Sequence, residues 1–256
     1  MALLVAANGD DTLPPYRVSK GFRLIVNATD PVRDAVLNKT HGREIHGFHI
    51  MSVENAAAGF PPNSGAIFFQ SFDPRDAGSP GAVFLGRTMA ILGRPNSLAF
   101  LGLGNVTNDG HGARQIGGVN IGGAFQTTMG MQLSVSGNFS YMRFSGGGDG
   151  EWSGRGTFAI CNTTVVNWSR NEDDKLRVLF WIPETYVDGE WGVRVPDLPC
   201  VPVTLIPQCD VAPSPEDMPN YSLSRPWLER AVEVRCYDDV RVIDWGKYSF
   251  RPGRDM

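Results

Sequence analysis

Along most of this chain apolar and polar residues alternate in short runs, the period of a β-strand and not of a helix. Lys20–Asn27 is the first clear run, with Phe22, Leu24 and Val26 on one side and Arg23 on the other. Glu44–Val53 alternates too: His46, Phe48 and Ile50 share one face, and Ile45, His49 and Met51 share the other. Ala66–Gln70 and Ala82–Leu85 read as short buried strands, and Leu98–Leu103 follows a turn at Arg94–Asn96. Met131–Ser136 and Phe139–Phe144 predict a hairpin across Gly137–Asn138. Gly156–Cys161, Thr164–Trp168, Leu176–Ile182 and Cys200–Cys209 are further strands, and Ala231–Cys236 and Asp239–Trp245 close the series.

Between the strands the chain is rich in turn formers. Residues 104–123 carry many Gly and Asn with little periodicity and read as long loops. The proline-rich stretch 210–226 reads as irregular chain wrapping the surface, and Ser224–Glu229 as one helical turn capped by Ser224. No amphipathic helix is long enough to set the architecture. The expected fold is therefore all-β, an antiparallel β-sandwich or barrel with long loops. Residues 1–15 would form a flexible lead-in and 16–256 a single domain, with 210–226 as an irregular linker before the last strands.

Composition sharpens this. Thirty glycines and eighteen prolines in 256 residues favour many turns. A net charge of −4 with dispersed Lys and Arg offers no basic footprint for nucleic acid. No run of about 20 apolar residues would span a membrane as a helix. Seven Asn-x-Ser/Thr sequons begin at Asn27, Asn38, Asn105, Asn138, Asn162, Asn167 and Asn220, where chance would give roughly one or two. With four cysteines, an even number, they place the chain in the secretory pathway or outside the cell, N-glycosylated and stapled by two disulfides. Met1–Ala7 is too short, and lacks the basic start, for a complete signal peptide.

The strand Cys200–Cys209 bears on the pairing. Its ends lie roughly 30 Å apart when extended, whereas a disulfide tolerates about 4.4 to 6.8 Å between Cα atoms. Cys200 and Cys209 must each reach elsewhere, to Cys161 or Cys236. If strand 201–206 lies beside the 156–161/176–182 hairpin with Cys209 emerging near Cys161, the pairs are Cys161–Cys209 and Cys200–Cys236.

Candidate chemistry is sparse. His46-x-x-His49 has a metal-binding spacing only on a helix; on a strand the two point to opposite faces, and no metal is expected. No serine sits in Gly-x-Ser-x-Gly, and Gly102-x-Gly104 lacks the third glycine of a dinucleotide loop. Glu172-Asp-Asp174 lacks the ligand order of an EF-hand and reads as a solvated turn. The aromatic residues are mostly core, but Trp168, Trp181, Trp191 and Phe48 could line an apolar cavity for a hydrophobic small molecule.

Gly21-Phe-Arg-Leu-Ile-Val-Asn-Ala-Thr-Asp-Pro31, Phe158-Ala-Ile-Cys161 and Cys200-Val-Pro-Val-Thr-Leu-Ile-Pro-Gln-Cys209 resemble a group of fungal secreted β-rich proteins of unassigned domain type. The chain is also similar in character to the glycosylated hetero-Diels–Alderases of fungal tropolone–sesquiterpenoid pathways. The tail after Cys209, with Cys236, departs from the short form of that group. The resemblance implies a cofactor-independent pericyclase. It would assist loss of water from a hydroxymethyl tropolone, then hold the resulting quinone methide against a humulene-type alkene. Positioning would carry most of the rate. His46 or His49 would serve as the acid, and Arg23 or Tyr141 as the hydrogen-bond donor. Two other classes fit the same pattern: a non-catalytic secreted binding protein or effector, and a secreted carbohydrate-active protein.

Overall fold

The computed structural model of the chain describes residues 14–37, 39–50, 53–60, 64–71, 82–91, 94–108, 115–122, 129–136, 139–144, 156–167, 172–183, 185–187, 190–192, 199–214 and 228–245. In chain order these form β1 (Arg17–Ser19), β2 (Gly21–Ala28), α1 (Pro31–Val36), β3 (Glu44–Ile50), β4 (Val53–Phe60), β5 (Phe68–Ser71) and β6 (Ala82–Ile91). There follow β7 (Arg94–Asn108), β8 (Gln115–Gly122), β9 (Met129–Ser136), β10 (Phe139–Phe144), β11 (Gly156–Asn167) and β12 (Glu172–Pro183). The short β13 (Thr185–Val187) and β14 (Glu190–Gly192), then β15 (Cys200–Asp210), β16 (Val234–Cys236) and a 3-10 turn at Val240–Val242 complete them.

Twelve strands form one antiparallel sheet in the order β10-β9-β7-β6-β5-β2-β15-β11-β12-β8-β4-β3. The sheet curls back on itself as a half-barrel. The path β2-β15-β11-β12 continues through β4 and β3 and returns to β2. Among the described residues the closing pairings are short: β12 meets β4 at Val178↔Ala57 and β8 at Phe180↔Gly118 and Trp181↔Gly117, and β2 meets β3 at Ile25↔Glu44, with Val26 bonded to Arg43 and Gly42 beside it. By contrast β2 and β15 pair from Val203↔Ala28 to Asp210↔Gly21.

Alternation sorts the side chains into two faces. Phe22, Leu24 and Val26 of β2, Val201, Val203 and Leu205 of β15, Phe158 and Ile160 of β11, and Leu179 and Trp181 of β12 meet in one inner core. The outer face of the same strands is covered as well. Ile25 and Ile206 pack with Tyr237 and Val240, with Trp245 alongside, so the C-terminal segment lies over β2 and β15. β15 is thus buried on both sides, which explains its run of apolar residues with so few polar breaks.

Several expectations are met. β9 and β10 pair antiparallel as expected of a hairpin, β11 pairs with β12, and all four cysteines are bridged. The disulfide partners differ from those expected. Cys161 bonds Cys200 and Cys209 bonds Cys236. The reason is strand direction: β15 runs antiparallel to β11, so Cys200 lies directly opposite Cys161 and Cys209 is carried to the far end. There it meets the C-terminal segment, where Cys209 N–H bonds Tyr237 O at 2.8 Å.

The stretch 104–123 is corrected too, since much of it belongs to β7 and β8, which pair along Phe100–Asn108. Glycine removes the apolar period without removing the backbone ladder. Glu44–Val53 is two strands in a hairpin, β3 and β4, whereas 156–161 and 164–167 merge into β11. Asp239–Trp245 is no strand: Asp239 caps the 3-10 turn by accepting from Arg241 N at 3.0 Å. A helix went unexpected at Pro31–Val36, although its signals stand in the sequence. Asp30 Oδ1 accepts from Val32 N and Arg33 N, both at 3.0 Å, and Pro31 occupies the first turn. The helical turn expected at Ser224–Glu229 falls mostly outside the described residues.

Peptide mapping of unreduced protein should yield Cys161–Cys200 and Cys209–Cys236 fragments and no Cys161–Cys209 fragment. With 27 residues of separation, Cys236→Ser should lower unfolding free energy by about 3 to 4 kcal/mol, measured by urea titration.

Candidate functional site

The outer face carries a buried charge cluster. Glu44 of β3 has no solvent exposure, and a lone carboxylate there would be prohibitively costly. It is met by two guanidinium groups. Arg241 Nη2 donates to Glu44 Oε1 in a short ion pair, and Arg23 Nη1 lies 3.4 Å from Oε2. Gly65 N–H adds a bond to Oε2 at 2.7 Å. Arg23 also donates to Asp210 Oδ2 and to Gly65 O, each at 2.5 Å. Arg241 donates to Gly42 O at 2.9 Å and to Gln208 Oε1 at 3.2 Å. Gln208 Oε1 in turn accepts from Val240 N. Three distant parts of the chain, at Arg23, Gly65 and Arg241, converge on one carboxylate, and the C-terminal turn is latched to the sheet through it.

Gly65 is required at this point. A Cβ there would stand 2.5 Å from Glu44 Cβ and 3.0 Å from Ile45 O, closer than any side chain tolerates. Gly42, beside Arg241, has φ of 75°, a left-handed conformation that glycine adopts freely.

The inner face is apolar. Phe158 and Trp181 stand edge to face with ring centroids 4.9 Å apart, a contact contributing about 0.5 to 1.5 kcal/mol beyond its buried area. Below them lie Ile160, Leu179 and Val201. At the end nearest α1 the character changes. By alternation from Leu179 and Trp181, Arg177 belongs to the inner face, opposite Asn162 of β11. Leu37, just past α1, joins the inner core at this end. Asp34 is buried beside it and accepts from Thr40 N at 2.6 Å and from Thr40 Oγ1 at 2.5 Å. His41 accepts from Ala28 N at 3.3 Å through Nδ1. Burial lowers the Arg177 pKa from its ordinary value, the positive charge of Arg43 lowers it further, and Asp34 opposes both.

The residues expected to act together are divided by the sheet. Arg23 alternates with Leu24 onto the outer face, where it is held by Asp210 and Glu44. His46 is half-buried on β3 and sits in the cross-strand row His46–Ala57–Val178–Cys161, which is also the outer face. Trp181 is on the inner face. His49 pairs with Glu54, Phe48 with Asn55, Tyr141 with Ser134 and Trp191 with Tyr186 in backbone register, their side chains lying outside the described residues. Trp168 lies outside them altogether. Among the sequons, Asn27 and Asn162 are half-buried, at the ends of β2 and β11 pairings near α1. Among the described residues no three His, Cys, Asp or Glu gather as metal ligands would, and no helix is long and apolar enough to cross a membrane.

Arg177, Glu44 and Arg241 were not singled out from sequence. A charged residue in an alternating run reads as solvated, and only the fold shows that both faces of these strands are covered. The signal available was Arg177 itself, a charge at the apolar phase of Leu179 and Trp181.

No protein-family model matches the chain, and no solved structure matches it. Among curated proteins it is similar to the antigenic protein SchS34 of Stachybotrys chartarum, 27% identical over 243 residues, covering 92% of this chain and 94% of that one. The likeness is distant but runs almost end to end, consistent with a fungal protein of unassigned domain type.

Removing the central carboxylate should be severe. Glu44→Gln leaves two buried arginines facing each other and should cost about 3 to 5 kcal/mol in urea unfolding. Arg17→Ala, which breaks the exposed 2.7 Å pair with Asp238, should change stability by less than about 1 kcal/mol.

Proposed function

We propose that this chain is an exported protein that holds an apolar small molecule on the inner face of its half-barrel. The observation that carries this reading is the asymmetry of the curled sheet. A continuous apolar wall runs through β2, β15, β11 and β12, while the ring closes through the shorter pairings of β12 with β8 and β4 and of β2 with β3. Barrel interiors of this kind hold small ligands. The paired cysteines, the sequons and the distant antigenic relative support an exported chain.

The hetero-Diels–Alderase activity implied by the resemblance is the finer form of this proposal. Cycloaddition asks the protein to align two apolar partners and exclude water, with no covalent nucleophile. The wall around Trp181 and Phe158 suits that task. Arg23 and His46, on the outer face, do not adjoin the wall, so the polar group serving the reaction would come from the inner face or its rim. A non-catalytic carrier is the second reading, favoured by the relative's name, which describes an antigen and no reaction.

Purified glycoprotein incubated with a hydroxymethyl tropolone and a humulene derivative should give one adduct stereoisomer faster than buffer. Saturable humulene binding without rate or stereochemical bias would select the carrier. Absence of both would overturn the apolar-ligand reading. Trp181→Phe, which keeps an aromatic ring, should weaken humulene binding by about tenfold or less, measured by equilibrium dialysis.

A further inference from the structure

Two of the sequon asparagines, Asn27 and Asn162, have described side chains, and the fold sets them on opposite faces of one sheet. Asn27 follows Arg23 and Ile25 in the alternation of β2, so it belongs to the outer face. Asn162 follows Phe158 and Ile160 in β11, so it belongs to the inner one. Both are half-buried, and it is their surroundings that separate them.

Asn27 stands one residue from the end of β2, where the chain leaves the sheet. Ala28 is half-buried, Thr29, the hydroxyl residue of the sequon, is exposed, and Asp30 caps α1. The Thr29 N–H and hydroxyl both donate to Pro202 O, at 3.1 and 3.0 Å. A sugar on Asn27 leaves the fold at a strand exit, on the face away from the inner core. Asn162 lies within β11, which runs on to Asn167. Its N–H donates to Pro199 O at 3.0 Å on one side, and Arg177 of β12 is its register partner on the other. The residue before it, Cys161, is locked to Cys200. At this end of the inner face Leu37, Asp34 and Thr40 are buried. An oligosaccharide is bulky and heavily hydrated, and turning it towards a packed interior strips water that nothing there replaces.

We infer that the folded protein carries an N-linked oligosaccharide at Asn27 and leaves Asn162 bare. This rests on the exported-protein reading above and says which of the two asparagines that route modifies. In the transfer, Asn27 Nδ2 bonds to C1 of an oligosaccharide carried on a lipid pyrophosphate. The C1–O bond breaks, the amide gives up one proton, and the lipid pyrophosphate leaves. In the folded chain the Thr29 hydroxyl is engaged by Pro202 O, so the transfer precedes the pairing of β2 with β15. A chain modified at Asn162 cannot close β11 against β12 and β15 around its glycan, and does not join the folded population.

The test is site-resolved peptide mapping of the full chain, expressed through the secretory pathway of a fungal host and recovered folded. Peptide N-glycosidase in heavy-oxygen water marks each asparagine that carried a glycan. Asn27 should be marked and Asn162 unmarked. On electrophoresis Asn27→Gln should lose the mass of one glycan, and Asn162→Gln should keep the wild-type mass and yield. A marked Asn162, or an unmarked Asn27 beside other marked sequons, would overturn the assignment and leave the exported reading standing. If no sequon is marked, both fall.

Discussion

The pairing of β2 with β15 is the constraint from which the rest of this molecule follows. The two strands bond along Val203–Asp210, and both of their faces must be kept from water. Their inward residues join the half-barrel core. Their outward residues, Ile25 and Ile206, would expose an apolar stripe if Tyr237, Val240 and Trp245 did not cover it. The C-terminal segment is therefore part of the sheet's solvation and not an appendage. The means of holding it are redundant: a disulfide at Cys209–Cys236, backbone bonds from Cys209 N–H to Tyr237 O and from Tyr237 N–H to Pro207 O, and Arg241 reaching Glu44.

That arrangement gives the two faces different physical roles. The outer one is a closed electrostatic problem, in which Glu44, Arg23, Arg241 and Asp210 neutralise each other and their hydrogen bonds are taken up internally. Such a cluster contributes geometry more than net stability. The inner one is dispersive and unspecific until its α1 end, where Arg177 introduces one charge.

Strand existence was legible because period-2 alternation is a local property. Val201, Val203 and Leu205 do face inward and Ile206 outward, as their spacing requires. What local pattern could not express was direction. Whether β15 runs with or against β11 decides which cysteine faces Cys161, and no residue within either strand records it. The glycine-rich β7 and β8 were hidden for the opposite reason: their backbone ladder is regular, but glycine leaves no side chain to show a period. The 3-10 turn at Val240–Val242 carries a strand-like alternation that the Asp239 cap overrides. Arg177 and Glu44 were invisible because burial of a charge depends on what other segments cover.

The two disulfides have a consequence for the life of the molecule outside a cell. Each closes its own span of chain, Cys161 to Cys200 and Cys209 to Cys236, one after the other without overlap. A protease that cuts between Cys209 and Cys236 would therefore release nothing. The fragment bearing Tyr237 and Arg241 would stay tethered by sulfur and seated on Glu44, and the outer face of β2 and β15 would remain dry. The chain can be severed in its proline-rich connection and still persist as one folded body of two polypeptides.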